Sequence, residues 1–426
     1  MMMLHQWALF EYTSLELLGL IGTLFSCIYL TAAIIDLGLE ASLAPFYQLW
    51  SSSRSAFCKF IAIQLIPNYC AGAILMVAAY WLHTSIGFTL PILVHLDTFV
   101  LSCVAITIFA ESTRKTLKTI LQIVFQNRIH TILEIGTLGC YVLFIWSAYL
   151  LGHPIDLPLL FGGLCAMSVI ATVTTATWVT KWYLTLPSTP LTKTYSHTRL
   201  FKSRLFGYLH RMGTIIFSAN FMVPLFAYEF GLEYAGLLRF ICNITHNITS
   251  IVHKIFGASG NALLAHTRYR SHEEQQHLFG QLTHKLNQTL YALIIFFAIN
   301  HRILLGMSKA PLDYLSIALF GLTFIMQLTE SFALAFEKLF LVYERSETLF
   351  CVTFIATITT GGLVLFAPHC GPLTLLFIFA SIRALSLVML HLIALYAWKL
   401  RAHWQISTPY IIGSVVFSLI FFLAFR

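Results

Sequence analysis

Apolar residues run along this chain in long blocks, broken by short polar stretches that hold most of the charge. Each block reaches the ~20 residues that a helix needs to cross a bilayer. Twelve are counted, at roughly 16–37, 57–81, 89–110, 131–152, 158–182, 206–228, 235–257, 286–306, 313–336, 347–367, 372–396 and 407–425. Strands of a membrane barrel would alternate apolar and polar residues over ~10 positions, whereas these blocks are continuously apolar. The pattern predicts an all-α, polytopic membrane protein.

The connections alternate in character. Basic residues fall at Arg54 and Lys59, at Arg114, Lys115, Lys118 and Arg128, and at Lys181, Lys193, Arg199, Lys202, Arg204 and Arg211. Further on they fall at Arg268, Arg270 and Lys285, at Lys338 and Arg345, and at Lys399 and Arg401. The intervening loops (HTSIGF, GHPID, YEFGLEY, APHCGP) carry none, and only Arg302 and Lys309 break the alternation. Basic loops stay on the cytoplasmic side, which would leave both termini outside.

A repeat changes that picture. Leu15, Glu16, Gly19 and Leu20 reappear as Leu232, Glu233, Gly236 and Leu237, at an offset of 217 (232 − 15). IVFQNR at 123–128 and FLVYER at 340–345 echo each other at the same offset. Six crossings lie between the copies, so both halves share one orientation, as in a parallel repeat about the membrane normal. In the repeated motif, Glu suits the positive start of a helix and Gly a close helix contact. The counterpart of the segment 206–228 would occupy positions from about −11 to 11, so the first helix of the N-terminal lobe is expected to be missing apart from its tail. The expected layout is an N-terminal lobe over 1–183, a cytoplasmic linker over 184–205, a C-terminal lobe over 206–396 and an extra helix over 397–426, giving two pseudo-symmetric lobes.

Composition agrees. The chain has 426 residues, 58% of them hydrophobic and 10% charged, with a mean hydropathy of +0.81; soluble domains average about 25% charged residues. The net charge of +8 is spread over short loops and forms no nucleic-acid-binding tract. Nine cysteines are scattered without a CxxC, so neither a zinc site nor a disulfide framework is indicated. The N-terminus lacks the basic region of a cleavable signal peptide.

The plan of six helices, a basic linker (here LTLPSTPLTKTYSHTRLFKSR, 184–204), six helices and then one or two extra is that of the multidrug/oligosaccharidyl-lipid/polysaccharide (MOP) exporter superfamily, which this chain resembles. The resemblance is closest to its polysaccharide-biosynthesis branch, the oligosaccharide-lipid flippases. It is carried by ELLGLIGTLFSCIYLTAAIIDLGLEASLAPF (16–46), LEYAGLLRFICNITHNITSIVHKIFGASGNALLAHTR (232–268) and TRKTLKTILQIVFQNRIHTILEI (113–135). The chain departs from the family at the first helix and in having one trailing helix where the family has two. The resemblance implies a multi-pass protein of the bacterial cytoplasmic membrane that flips a lipid-linked oligosaccharide by alternating access. Its partners would be the lipid-linked glycan, the bilayer and glycan-assembly proteins, with no nucleic acid, no cofactor and no enzymatic chemistry. Two alternatives stand beside it: a drug or metabolite antiporter of the same fold, which would need an acidic cavity, and a non-transporting scaffold in a glycan-assembly complex.

Function on this reading rests on polar groups within helices. An arginine at the bilayer centre costs about 2.5–3.5 kcal/mol and normally faces a cavity or a partner. Arg239 (GLLRFICN) and Arg383 (FASIRALSL) are the candidates for holding the (pyro)phosphate head of the substrate, since guanidinium groups bind phosphate in a bidentate manner. The competing reading pairs each with a carboxylate or lets it snorkel to the interface. Asp97 (VHLDTFV) and Glu330 (QLTESFA) are candidates for ion coupling, with a structural partnership or a packing role as the alternatives. His246 and His253 share a helix face but lack the third ligand that a metal would want, so no metal site is expected. The sequons at Asn243, Asn247 and Asn287 fall in or at the ends of helices, and Pro67 and Pro224 are candidate hinges.

Overall fold

The computed structural model describes residues 12–37, 50–85, 97–124, 127–188, 197–246, 271–306, 313–342, 345–366, 371–400 and 408–425, with Leu9, Leu43, Thr249, Val252 and Ala402 as single positions. Every regular element among them is a helix: α1 (Leu15–Ile35), α2 (Arg54–Ser85), α3 (Thr98–Ile123), α4 (Asn127–Leu150), α5 (Leu157–Thr185), α6 (His197–Ile215) and α7 (Ala219–Phe230). Residues 232–246 form α8. Then come α9 (His272–Gly306), α10 (Tyr314–Val342), α11 (Ser346–Phe366), α12 (Pro372–Trp398) and α13 (Thr408–Phe425). Among the described residues, eight helices are long and apolar enough to cross a membrane, or nine if α6 and α7 make one interrupted crossing. α3 is not among them, because Glu111, Arg114, Lys115 and Lys118 stand in its second half.

Local chemistry starts these helices. The Ser14 hydroxyl accepts from the Leu17 amide at 3.1 Å ahead of α1, whose first turn holds Glu16. Asp156 accepts from the Leu159 amide at 2.9 Å ahead of α5, and Asp313 from the Ser316 amide at 2.8 Å ahead of α10. Each satisfies a donor that the first helical turn would leave unpaired. Gly231 joins α7 to α8 at φ +95°, a backbone conformation that side chains disfavour.

The repeat runs through the whole architecture. Adding 217 to the first positions of α1 to α5 (15, 54, 98, 127 and 157) gives 232, 271, 315, 344 and 374; α8 to α12 begin at 232, 272, 314, 346 and 372. Packing repeats as well: α5 lies against α3 and α4, as α12 lies against α10 and α11. The trailing helix α13 packs on α9.

The chain forms two compact units. The first comprises Leu20–Ile215; the second comprises Ile216–Arg426 together with the start of α1 up to Gly19. In the first, Trp50, Phe57, Phe60, Ile120 and Val179 build an apolar cluster where the start of α2 meets the ends of α3 and α5. The Trp50 indole donates to the Leu43 carbonyl at 2.8 Å. Arg54 ties the same region together, donating through Nε and Nη2 to the carbonyls of Leu186 and Leu184 at 3.0 and 2.5 Å. In the second, ring contacts join α9 to α10, with Phe297 and Phe324 at 4.1 Å and Phe279 and Phe336 at 5.7 Å.

Within the second unit the two copies of the repeated motif meet. A Cβ on Gly19 would fall on the Leu232 carbonyl oxygen and 3.1 Å from the Gly236 nitrogen. A Cβ on Gly236 would fall on the Leu15 carbonyl oxygen and 3.1 Å from the Gly19 nitrogen. The contact is reciprocal, and only glycine on both sides permits it.

Three expectations are corrected. Asp97 was placed inside a spanning block over 89–110, but it is exposed and stands just ahead of α3, with its carbonyl accepting from the Leu101 amide at 3.1 Å. It opens α3 as Asp313 opens α10. A carboxylate is better placed at the positive end of a helix than among lipid tails. Arg114, Lys115 and Lys118, assigned to a loop, are on α3; Arg204 and Arg211 are on α6. The helix interruption at 216–218 precedes Pro224, which lies inside α7. The N-terminal tail, His253, Asn247, part of the linker and the loop basic residues Arg268 and Arg270 lie outside the described residues.

Candidate functional site

Arg383 is the most deeply buried arginine candidate, at 5% exposure. The packing of α12 on α10 carries it to Glu337, and its Nη2 donates to Glu337 Oε1 at 3.1 Å. Its guanidinium lies 5.9 Å from the centroid of the Phe217 ring, which packs edge-on against Phe379. Here the carboxylate-pairing alternative is the one realised. Glu337 escaped the sequence reading because it falls one residue beyond the block ending at 336. An arginine needing a partner one packed helix away was the signal that could have found it.

Arg239 lies on α8 in the same unit and is half-buried, flanked by the buried Leu238 and Phe240. Glu330 is half-buried on α10. Asn287 is 1% exposed on α9, Asn243 is half-buried and His246 is exposed. Among the described residues no group of His, Cys, Asp and Glu is arranged to hold a metal ion.

The first unit holds two charged clusters that sequence reasoning missed. In one, Asp36 follows α1 and is 1% exposed. Its Oδ2 accepts from Arg211 Nη1 at 3.0 Å, and its carbonyl accepts from Asn68 Nδ2 at 3.0 Å. Arg204 donates through Nε to the Leu37 carbonyl and through Nη2 to Asn68 Oδ1, both at 2.7 Å. Leu37 has φ +44°, so the chain turns sharply there and presents its carbonyl to the guanidinium. α1, α2 and α6 are thereby tied together through polar groups.

In the other, Glu111 on α3 accepts from Arg114 at 2.8 Å and from the Ser168 hydroxyl of α5 at 2.7 Å. Lys118 on α3 pairs with Glu134 on α4. Each acid of the cluster thus meets one base. The repeat partners of Arg383 and Glu337 are Ala166 and Ile120 (383 − 217 and 337 − 217). Neither is charged, so the Arg383–Glu337 pair has no counterpart at the equivalent positions of the first unit.

No family model matches the sequence, and no curated protein matches it. Solved structures do. An inward-facing multidrug resistance MATE family transporter of the MOP superfamily is similar over 99% of this chain and 94% of its own, at 14% identity and a TM-score of 0.62. An outward-facing form is similar over 100% and 92%, at 13% and 0.64. A MOP superfamily transporter from Pyrococcus furiosus, whose binding pocket is described as reversed in polarity, is similar over 93% and 91%, at 12% and 0.62. The chain shares the fold of these structures. That fold accounts for the parallel repeat, for the packing of α5 and α12 within their units and for the apolar surfaces of a multi-pass membrane protein.

Proposed function

We propose that this chain is a transporter of the bacterial cytoplasmic membrane that works by alternating access and moves a lipid-linked oligosaccharide. The observation that carries the transport reading is likeness, over nearly the whole chain, to structures solved both inward-facing and outward-facing. The choice of an anionic substrate rests on charge. Asp36, Glu111, Glu134 and Glu337 each have a basic partner, so none supplies the acidic surface that a cation antiporter would use. Arg239, half-buried on an apolar helix, is assigned to the phosphate head. Arg383 serves the architecture, because Glu337 already neutralises it. Asp97 and Glu330 are the remaining acids for ion coupling, and the exposure of Asp97 favours Glu330.

A second reading, a drug or metabolite antiporter, is favoured by the multidrug transporters that share the fold. Proteoliposomes offered either a fluorescent polyprenyl-pyrophosphate oligosaccharide or a fluorescent organic cation, under an imposed proton gradient, separate the two. The proposal expects movement of the glycolipid and not of the cation. The reverse result establishes the antiporter, and movement of neither points to the scaffold.

A further inference from the structure

α3 and α5 run side by side in the first unit, and their contacts fix the register. The Thr172 hydroxyl donates to the Ala110 carbonyl at 3.0 Å, across a sequence separation of 62. A Cβ on Gly162 would lie 3.4 Å from the Phe99 ring, nearer the starts of both helices. Contacts thus advance together along the two chains, as in a parallel pair. Seven residues before Ala110 stands Cys103, and seven before Thr172 stands Cys165, again 62 apart (165 − 103). Positions i and i+7 share a helix face, so the register that joins Thr172 to Ala110 sets the two cysteines opposite each other. Cys103 is buried, Cys165 is half-buried, and both are free thiols with no part in the transport reading.

We infer that Cys103 and Cys165 are a modification site: on two-electron oxidation they close into a disulfide that staples α3 to α5. Two S–H bonds break and one S–S bond forms. The two electrons and two protons pass to a lipid-soluble acceptor of the quinone class, which becomes the quinol. A disulfide needs a Cα separation of about 4.4–6.8 Å, and α3 and α5 are packed together along their length. The charge pattern of the loops puts the starts of α3 and α5 on the outer side of the membrane. At 1.5 Å per residue the thiols lie about 8 and 12 Å below those ends, toward the oxidising compartment where disulfides persist. Half-buried Cys165 gives the oxidant its approach.

The test uses the full chain in its membranes, treated with a fully substituted benzoquinone that accepts electrons without alkylating thiols. The protein is then denatured in maleimide and digested with trypsin without reductant. The expected product is a joined pair of peptides containing Cys103 and Cys165, lighter by two hydrogens than their sum. It disappears in Cys103→Ser and survives in Cys140→Ser. A second pair, Ala110→Cys with Thr172→Cys in a Cys103→Ser/Cys165→Ser background, probes the register alone. If that pair links while Cys103 and Cys165 are recovered as maleimide adducts, the thiols do not face each other and the inference fails. It fails equally if neither pair links in protein that keeps the wild-type Tm.

Discussion

Replacing Glu337 by Ala leaves the Arg383 guanidinium buried without its carboxylate. At 3.1 Å the two charges attract with about 5 kcal/mol at an effective dielectric of ~20. Desolvation of both groups offsets most of that gain, so the intact pair adds little net stability over an apolar pair of the same volume. Removing one partner is different, because the other remains buried and uncompensated at a cost of about 3–5 kcal/mol. The Glu337 side chain is 19% exposed and that of Arg383 only 6%. The site is more open on the glutamate side, which puts Glu337→Ala near the lower end, at about 3 kcal/mol. Arg383→Met is expected to cost a similar amount, having stranded the carboxylate and uncovered Phe217. The double variant Glu337→Leu/Arg383→Met strands nothing, so it should be at least ~2 kcal/mol less destabilised than the sum of the singles. Reversible unfolding in mixed detergent and dodecyl sulfate micelles measures all four corners of the cycle. Single variants costing under ~1 kcal/mol, or a double variant equal to their sum, would refute the buried pair.

Gly236→Ala should destabilise by about 1–3 kcal/mol, because its methyl meets the backbone of Leu15, which cannot swing aside. Gly361→Ala, with nothing within 4 Å of its Cβ, should be neutral or slightly stabilising in the same unfolding assay. Asp313→Ala removes a helix cap and should cost about 1 kcal/mol. The hydrogen bond from the Ser316 amide holds the Asp313 carboxyl below the usual aspartate range. A depressed folded value means that its stabilisation is present above the ordinary aspartate pKa and fades as pH falls through the folded one. The gap in Tm between wild type and Asp313→Ala is therefore expected to be full at neutral pH and to shrink below about pH 4; a gap that widens in acid contradicts it. Arg239→Ala should lower glycolipid transport in proteoliposomes at least tenfold with expression and Tm unchanged, whereas equal losses of transport and Tm would assign Arg239 to packing.

Legibility followed periodicity. The helical blocks and the offset of 217 were readable because bilayer thickness and an internal repeat leave their mark on helix length and spacing. Gly19 and Gly236 were legible as contact residues but not as contacts with each other, since a motif names a need without naming the partner. Asp97 was misplaced because an apolar run on either side hides a helix start. The basic residues of α3 and α6 were read as loop residues by charge alone. Asp36 and Glu134 belong to other segments than their bases, and no spacing along one segment reports a pair between two; Glu111, three residues before Arg114 on the same helix, was open to a reading of spacing alone. Glu337 was lost to a boundary one residue short, although the burial cost of Arg383 already asked for it.

The most direct measurement of the central claim is the flipping of a fluorescent lipid-linked oligosaccharide in proteoliposomes. Outer-leaflet label is quenched with dithionite, and the protected fraction is followed with time. Transport predicts that labelled lipid crosses from the inner leaflet and becomes quenchable much faster than in protein-free liposomes, and that Arg239→Ala removes most of the difference. A rate equal to that of protein-free liposomes, from protein that is folded and inserted, would contradict it.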